Sequence, residues 1–581
     1  MSETVADYIM DRLVHRGVRH IFTVPGLQID PLILAALRRS ELQLIVATNE
    51  ATAGFMADGY ARARGGFGVC LTIGSIGLSH AHPAVLTAHS DFSRVLFLAG
   101  TAPVSLSGQG AFQDNDAIGV SDVDQFRTTT EYAAKITDAG STPRVLNEAI
   151  HRMFESPAGP ALLSIPFDVQ QQSAGDAIGA PPSIRDECAS IGACVDQLAE
   201  LLEGKSHVVV LAGGRANEQA NAVALRSLAE RYSVPVATTL AAKGLLPENH
   251  PLSLGNLGFG GRRRAIEALL DEEIEVLILL GADWNERDSM NWDSRLAPPG
   301  RLIVRIDTLP DKCQGPLPVH HRFHADPLAV LAKLESSERL AAALRRTTAH
   351  REEMVERWQQ IPWCFGPPAD TTLATIGLDQ LVVGLRTVLP DDTLFFCDAG
   401  LQRVFAGAYW ESRRPLAFHS SFRLGGMGWT CGAAAGAQLA RPDCPVVLLI
   451  GDGAMLMHGQ ELATMVRYGL PIIVVLCNNQ SYGSIQQRMN SEPKAAETTR
   501  TPDIDWAAFA DSLGAEAVKL RELSDLASML APRLGATPPT RPILLEVATD
   551  HAQPMPHLES TRSGYHYPFL DLPLPAPILV S

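Results

Sequence analysis

The stretch Val446-Val447-Leu448-Leu449-Ile450-Gly451-Asp452-Gly453 runs from an unbroken apolar segment straight into an acid flanked by glycines. Further on, Ile472-Ile473-Val474-Val475-Leu476-Cys477 stops in the same abrupt way at Asn478-Asn479. Short apolar runs without alternation are strands buried on both faces, and such strands separated by a helix-length interval form parallel sheets, because parallel neighbours need a crossover connection. Open sheets of that kind bind ligands at the carboxyl ends of their strands, which is where Asp452 and Asn479 both stand. A carboxylate and an amide oxygen are hard donors that suit Mg²⁺, an ion that shares its sphere with water and substrate phosphates. The flanking glycines let the backbone approach a diphosphate closely. Either dipeptide alone reads as a turn; together, on successive strands, they read as a metal and diphosphate site.

Working outward, similar apolar runs occupy residues 43–47, 68–73, 95–99, 161–165, 208–211, 234–238, 276–280 and 302–306, and again 393–397 and 543–547. The alternation predicts an α/β protein of three doubly wound parallel-sheet domains. Residues 170–186 are polar and rich in Gly, Pro and Ser, and residues 361–372 carry Pro362, Pro367 and Pro368, so both mark boundaries. The expected units are 1–175, 190–345 and 370–550. A tail, 551–581, holds six prolines and little periodicity, which fits either a packed segment or a flexible lid.

The chain has 581 residues, 46% hydrophobic and 19% charged, and at roughly 150 residues per domain it has room for three or four substantial cores. Lys+Arg 48 against Asp+Glu 64 leaves a net charge of −16. That balance repels phosphate backbones and anionic lipid faces, so neither nucleic acid nor a membrane surface is expected as a partner. Nine scattered cysteines without a C-x-x-C pair argue against a disulfide framework and for a reducing cytoplasm. The first residues carry Glu3 and Asp7 where a secretory signal needs bases before an apolar block, so no export is expected. The longest apolar runs fall far short of the ~20 residues that span a bilayer. Several of the 47 glycines gather beside Asp452 and at other expected strand ends, where a ligand would need close backbone approach.

On these residues the chain resembles the thiamine diphosphate (ThDP) enzymes, whose metal motif opens on Gly-Asp-Gly and closes on Asn-Asn. The resemblance implies that Asp452, Asn479 and the main-chain carbonyl of Ser481 hold Mg²⁺, with Gly453 beside the diphosphate. ThDP chemistry also needs a carboxyl group at the pyrimidine N1′. Glu50 is the candidate, opening a helix over residues 50–62 that is similar to the family's E-x-x-A-x-x-x-A-x-G-Y-A-R segment. Dipole placement at a helix N-terminus, worth ~0.3–1 kcal/mol, is the bland alternative for a glutamate there. Leu424-Gly425-Gly426-Met427-Gly428-Trp429, followed by a small-residue helix over 432–440, looks like the family's Gly-x-Met-Gly turn. Carried over, Met427 wedges between the two cofactor rings and Gly425 offers its carbonyl to the 4′-amino group. Asp398-Ala399-Gly400-Leu401-Gln402 is expected to cap the diphosphate, with Gly400 and Gln402 in contact.

The resemblance covers nearly the whole chain, in the order pyrimidine-binding, central and diphosphate-binding domain, and runs to acetolactate synthase and benzaldehyde lyase rather than transketolase. Gly110-Ala111-Phe112-Gln113-Asp114 is similar to the A-F-Q-E/D stretch whose Phe and Gln face the reacting carbon. Gln28 stands where the benzaldehyde lyase loop has a histidine. Gln28, Phe112 and Gln113 are thus expected to line the reacting centre, with Ser481, Ile485 and Gln486 shaping the acceptor side. The His-His pair of pyruvate decarboxylases has no counterpart there; His320-His321 lies in the central domain and reads as an exposed loop pair. Without imidazoles to protonate it promptly, the intermediate would survive to attack a second carbonyl. Pro166-Phe167-Asp168 puts an aromatic ring where acetolactate synthases have a lysine, and Gly74-Ser75-Ile76-Gly77-Leu78-Ser79-His80 replaces their G-P-G-x-x-N turn. His80 reads either as a new acid/base group or as polar filler at a dimer contact.

Acetolactate synthases also hold a structural FAD against the central domain. Gly213-Gly214, the Thr238-Thr239 turn and Arg144 offer such a site, but Ala282-Asp283-Trp284-Asn285-Glu286-Arg287 has an acid where the family's A-R-F-D-D-R has a flavin-facing arginine. FAD stays open, with that replacement against it. The expectation is a cytoplasmic, ThDP- and Mg²⁺-dependent carboligase that decarboxylates a pyruvate-like 2-oxo acid and transfers the acyl group to a carbonyl acceptor, giving a 2-hydroxy ketone. Its active site would cross the subunit interface of a homodimer or homotetramer. The alternatives are a benzaldehyde lyase-like C–C lyase, a 2-oxo acid decarboxylase, and a non-catalytic regulator of the same fold, against which the joint presence of Glu50, Asp452 and Asn479 speaks.

Overall fold

All of the strand pairing in the named sheets is parallel, and it builds three six-stranded sheets. The computed structural model describes residues 3–114, 121–174, 191–309, 316–366, 375–489, 492, 494–535 and 539–556. β1 (His20–Thr23), β2 (Gln43–Val46), β3 (Gly68–Ile73), β4 (Val95–Thr101), β5 (Tyr132–Lys135) and β6 (Ala161–Pro166) form the first, ordered β2-β1-β3-β4-β6-β5. The second holds β7 (Val208–Ala212), β8 (Val236–Thr238), β9 (Ser253–Asn256), β10 (Val276–Leu280), β11 (Leu302–Asp307) and β12 (His321–His324), ordered β12-β11-β10-β7-β8-β9. The third holds β13 (Leu394–Cys397), β14 (Phe418–His419), β15 (Val446–Gly451), β16 (Ile473–Asn478), β17 (Glu516–Leu520) and β18 (Ile543–Ala548), ordered β14-β13-β15-β16-β18-β17. The first and third sheets share one topology. Their strand order reverses between the first and third strands of each, and the second sheet reverses between β7 and β10. Those switch points are where open α/β sheets accept ligands.

The middle strands are the apolar runs seen in the sequence. Six others were not foreseen, and five of them, β5, β9, β12, β14 and β17, are edge strands. The reading of His320-His321 as a loop pair is corrected: His321 opens β12 and is half-buried, while exposed His320 accepts the Ile303 amide at its Nδ1, 3.0 Å away. The alternating burial of an edge strand hides such a residue from a search for apolar runs. Of the two composition-defined boundaries, residues 175–186 and 367–372 lie outside the described residues, as do residues 557–581 of the tail.

One helix pair joins the first unit to the third. The helix Glu50–Arg64 begins at Asn49, whose side-chain oxygen accepts the Thr52 amide at 3.0 Å, and ends at Gly65 in the left-handed region. It runs two residues beyond the expected Arg62. Against it lies the helix Trp429–Ala440. The two touch backbone to backbone: a Cβ on Gly59 would sit 2.0 Å from the Ala433 oxygen, and one on Gly436 would sit 1.9 Å from the Met56 oxygen. The small residues of both helices exist for that approach, which lets Phe55, Met56, Trp429 and Ala434 share one core. Asp58, fully buried, is held by Arg62 and by the Trp429 indole N–H at 2.8 Å. Tyr468 caps edge strand β2, its hydroxyl accepting the Val46 amide at 2.8 Å. Among the described residues no helix is long and apolar enough to cross a membrane, and the seven described cysteines are all free.

Candidate functional site

The carboxyl ends of β13, β15 and β16 bring the expected residues of the third unit together. Asp452, 2% exposed, follows β15 directly and begins the helix Asp452–His458. Its carboxylate accepts the Thr501 hydroxyl at 2.5 Å, and the nearby Gly453 and Ser481 amides favour its charged form. Burial pushes its pKa up. Asn479, at the end of β16, turns its side-chain oxygen onto the same Ser481 amide at 3.1 Å, whereas Asn478 donates to Glu546 on β18 at 2.8 Å. Asp452, Asn479 and Ser481 therefore stand together beyond the paired ends of β15 and β16, with the Asn479 oxygen on the Ser481 amide. Among the described residues no three His, Cys, Asp or Glu side chains gather to hold a metal, and this set has one carboxylate. A one-carboxylate site of oxygen donors matches an Mg²⁺ that completes its sphere with phosphate and water.

Three of the neighbouring groups are engaged within the chain. The space at Gly453 is filled by the Tyr482 ring, 2.5 Å from where a Cβ would stand. Gln402, 4% exposed, donates to the main-chain oxygens of Asp398 and Ala399 at 3.2 and 3.0 Å and covers Gly400. Gln486 accepts the Ser481 hydroxyl and the Thr499 hydroxyl and meets His551 at 3.1 Å, while Ile485 is exposed.

The Met427 turn is open. Gly425 and Gly428 have φ of 67° and 80°, and the nearest atom to a Cβ on Gly425 or Gly426 is 3.9 Å away. Met427 is 36% exposed, an apolar side chain placed for something to cover it. Asp398 anchors the far end of this turn, its carboxylate accepting the Gly428 and Thr430 amides and the Thr430 hydroxyl. Its role in fixing this turn, and that of Thr501, escaped the sequence reading, although Asp398 follows an apolar strand just as Asp452 does.

At the corresponding ends of β1, β2 and β3, Glu50 follows β2 and its Oε2 lies 3.3 Å from His80 Nδ1. Glu461, fully buried and also missed, accepts the Thr48 amide at 2.9 Å and the hydroxyls of Thr48 and Thr52, which fixes the start of the Glu50 helix from the third unit. Gln28, 5% exposed, donates to the Phe112 main-chain oxygen at 3.2 Å, and Ser75 donates to that of Gln113 at 3.1 Å. The Phe112 ring itself is 79% exposed.

In the second sheet the switch point between β7 and β10 does not fit a flavin dinucleotide. A Cβ on Gly213 would lie 2.4 Å from the Gly281 oxygen and 2.5 Å from the Ala282 Cα, so the paired glycines serve contact between two strand-end loops rather than a phosphate cradle. Arg215 fills the crevice, holding Asp307 with two nitrogens and Asp283 at 3.4 Å, all three side chains at most 7% exposed. Thr238 and Thr239 are buried as well.

Three family models match the chain in succession: the N-terminal TPP binding domain of thiamine pyrophosphate enzymes over residues 3–120, the central domain over 195–334, and the C-terminal TPP binding domain over 398–547. Thiamine pyrophosphate (TPP) and ThDP are one molecule. Over most of its length the chain is similar to a probable acetolactate synthase large subunit of Methanocaldococcus jannaschii, 29% identical and covering 95% of this chain and 93% of the relative. It is 30% identical to the acetolactate synthase isozyme 1 large subunit of Escherichia coli K12, with 90% of each covered. A putative thiamine pyrophosphate-containing protein of Bacillus subtilis 168 is 28% identical over 96% of this chain and 93% of its own.

Proposed function

Because the chain belongs to the thiamine pyrophosphate enzymes, we propose that it is an acetolactate synthase-like carboligase, joining the acyl part of a decarboxylated 2-oxo acid to a second carbonyl compound. The observation that carries this reading is that Asp452 and Asn479 follow the paired strands β15 and β16, with the Asn479 oxygen on the Ser481 amide, in a chain that also begins a helix with Glu50. Asp452, the Asn479 amide oxygen and the Ser481 carbonyl would hold Mg²⁺; Gly400, Gln402, Gly453, Gly425 and Met427 would hold the diphosphate and the two rings. Bound ThDP supplies an acidic thiazolium C2 and an electron sink for the bond broken beside the carbonyl. Glu50 keeps a proton in play at the pyrimidine N1′. Gln28, Phe112 and Gln113 orient the donor, and the tie from Gln28 to Phe112 sets them as a unit. Aromatic Phe167 in place of a cation favours an acceptor with an apolar group.

We further propose a two-fold dimer in which these two halves meet across the interface. Leu27, Ile76, Val104, Leu106 and Phe112 stay exposed beyond the carboxyl ends of the first sheet, and Leu424, Met427, Leu456, Met457 and Ile485 beyond those of the third. Two self-complementary apolar edges on one chain suit an isologous pair. The free cysteines suit a reducing cytoplasm. The test is product analysis with Mg²⁺, ThDP and pyruvate, alone and with benzaldehyde, then a screen of other 2-oxo acids by CO₂ release. A 2-hydroxy ketone containing both carbonyl partners is the expected result. Free aldehyde alone makes the chain a decarboxylase, and the absence of both ketone and CO₂ across the screen overturns the reading.

A further inference from the structure

Arg423 immediately precedes the Met427 turn, and its guanidinium donates to Asp283 of the central unit at 2.5 Å. Asp283 also faces Arg215, which is clamped on Asp307; Arg305 adds a contact to Asp307 at 3.3 Å. From the first unit, Asp91 accepts the main-chain amides of Phe422 and Arg423, each at 3.0 Å, and Arg62 at 3.0 Å. Arg62 in turn donates to the Ser420 oxygen at 3.0 Å. The Phe92 ring lies under both Arg215 and Arg423, 5.3 and 5.1 Å from their guanidinium carbons. Residues of three units thus converge on the four positions before Leu424.

The turn needs such an anchor. Its glycines lack side chains to pack and cost the most entropy to order, and its own contacts are sparse, as the free space around Gly425 and Gly426 shows. Asp398 holds the end at Gly428 and Thr430; at the other end Arg62 and Arg403 hold the Ser420 and Ser421 oxygens, the Ser421 hydroxyl takes the Gly426 amide at 3.3 Å, and Asp91 and the Arg423 to Asp283 pair fix Phe422 and Arg423. We propose that Asp283 and Arg423 are positioning residues for the Met427 turn, and that the Arg423–Asp283–Arg215–Asp307 chain stands in for the flavin dinucleotide of the resembled enzymes, so that this chain uses ThDP without FAD. The proposal rests on the reading that the turn holds ThDP. Its physical content is preorganisation: the turn is set before the cofactor arrives, so the cofactor does not bear the cost of ordering it.

The test uses the purified full-length protein with ThDP and Mg²⁺. Arg423→Met should weaken ThDP binding about tenfold, read by quenching of tryptophan fluorescence, and should lower kcat at saturating ThDP while the KM for the 2-oxo acid changes less. Arg423→Lys, which keeps the charge, should recover most of the loss, a rescue that a packing role alone would not give. If Arg423→Met fails to fold, isosteric Asp283→Asn is read in its place. Unchanged ThDP affinity in the folded variant overturns the positioning role. Flavin absorbance near one per chain in acid-denatured protein, or saturable binding in dialysis against FAD, overturns the flavin half. Asp452→Ala separates this proposal from the reading beneath it: if that variant still binds ThDP as wild type does, the site assignment fails; if it loses ThDP while Arg423→Met keeps it, only this inference fails.

Discussion

His80 Nδ1 lies 3.3 Å from Glu50 Oε2, joining the helix Ile76–Ser90 to the first turn of the Glu50 helix. The two side chains differ in exposure, 60% for His80 against 14% for Glu50. An exposed pair contributes about 0–1 kcal/mol, too little for His80 to control its partner. Glu50→Gln should therefore lower C2 proton exchange of bound ThDP by about 10²–10⁴-fold, whereas His80→Ala should lower it less than about fivefold. Hydrogen–deuterium exchange at C2 measures both, and an unchanged rate in Glu50→Gln would sink the role of Glu50.

Removing the metal should release the cofactor. With one buried carboxylate, the Asp452 cluster cannot hold a diphosphate by itself, so chelation, or Asn479→Ala, should cost on the order of a hundredfold in ThDP affinity. Calorimetric titration of ThDP with and without Mg²⁺ reads this; equal affinities would remove the metal from the site.

Asp288 gives a pH signature. It is half-buried, bonded by the Asn285 amide at 2.6 Å, and its pKa is pushed from 3.8 up to about 6 by loss of solvent first and by the Asp283 charge second. In the unfolded chain it ionises earlier, so between those two values the folded state binds the extra proton and stability falls as the pH rises, remaining lower above about 6. Asp288→Asn should thus match wild type near pH 4 and melt on the order of 2–4 °C higher near pH 7.5. Scanning calorimetry at the two pH values checks the difference.

The central and third units share a buried charge knot. Glu248 takes Lys243 Nζ at 2.6 Å, Arg262 at 3.1 Å and the Ser412 amide at 2.7 Å, with all three charged side chains at most 1% exposed. Glu248→Ala leaves two buried cations without their acid, a loss of about 3–5 kcal/mol. A drop of several degrees in Tm at fixed scan rate is expected, and no drop would show that water or a rearranged acid replaces Glu248.

What the sequence disclosed follows from burial. A central strand such as β15 is apolar along its length, so Val446–Gly451 and the acid behind it stood out. Edge strands β5 and β17 leave most of their residues half-exposed or exposed and carry no such mark; β1, though inner, is four residues long. The same holds at the site. Asp452 and Asn479 were legible because each ends a strand, but Thr501, Glu461 and the Arg423 to Asp283 pair are brought in by chain folding across long separations, and a polar residue in a loop does not announce its partner.

The contact of Gly59 with Ala433, and of Gly436 with Met56, has a consequence for control. Backbones that touch cannot slide or hinge without opening a void, so the Glu50 helix and the helix Trp429–Ala440 travel as a single casting. A protein built this way has little scope to turn its chemistry on and off by flexing one chain. In the proposed dimer, control would fall on whether two castings come together, with protein concentration and association as the throttle.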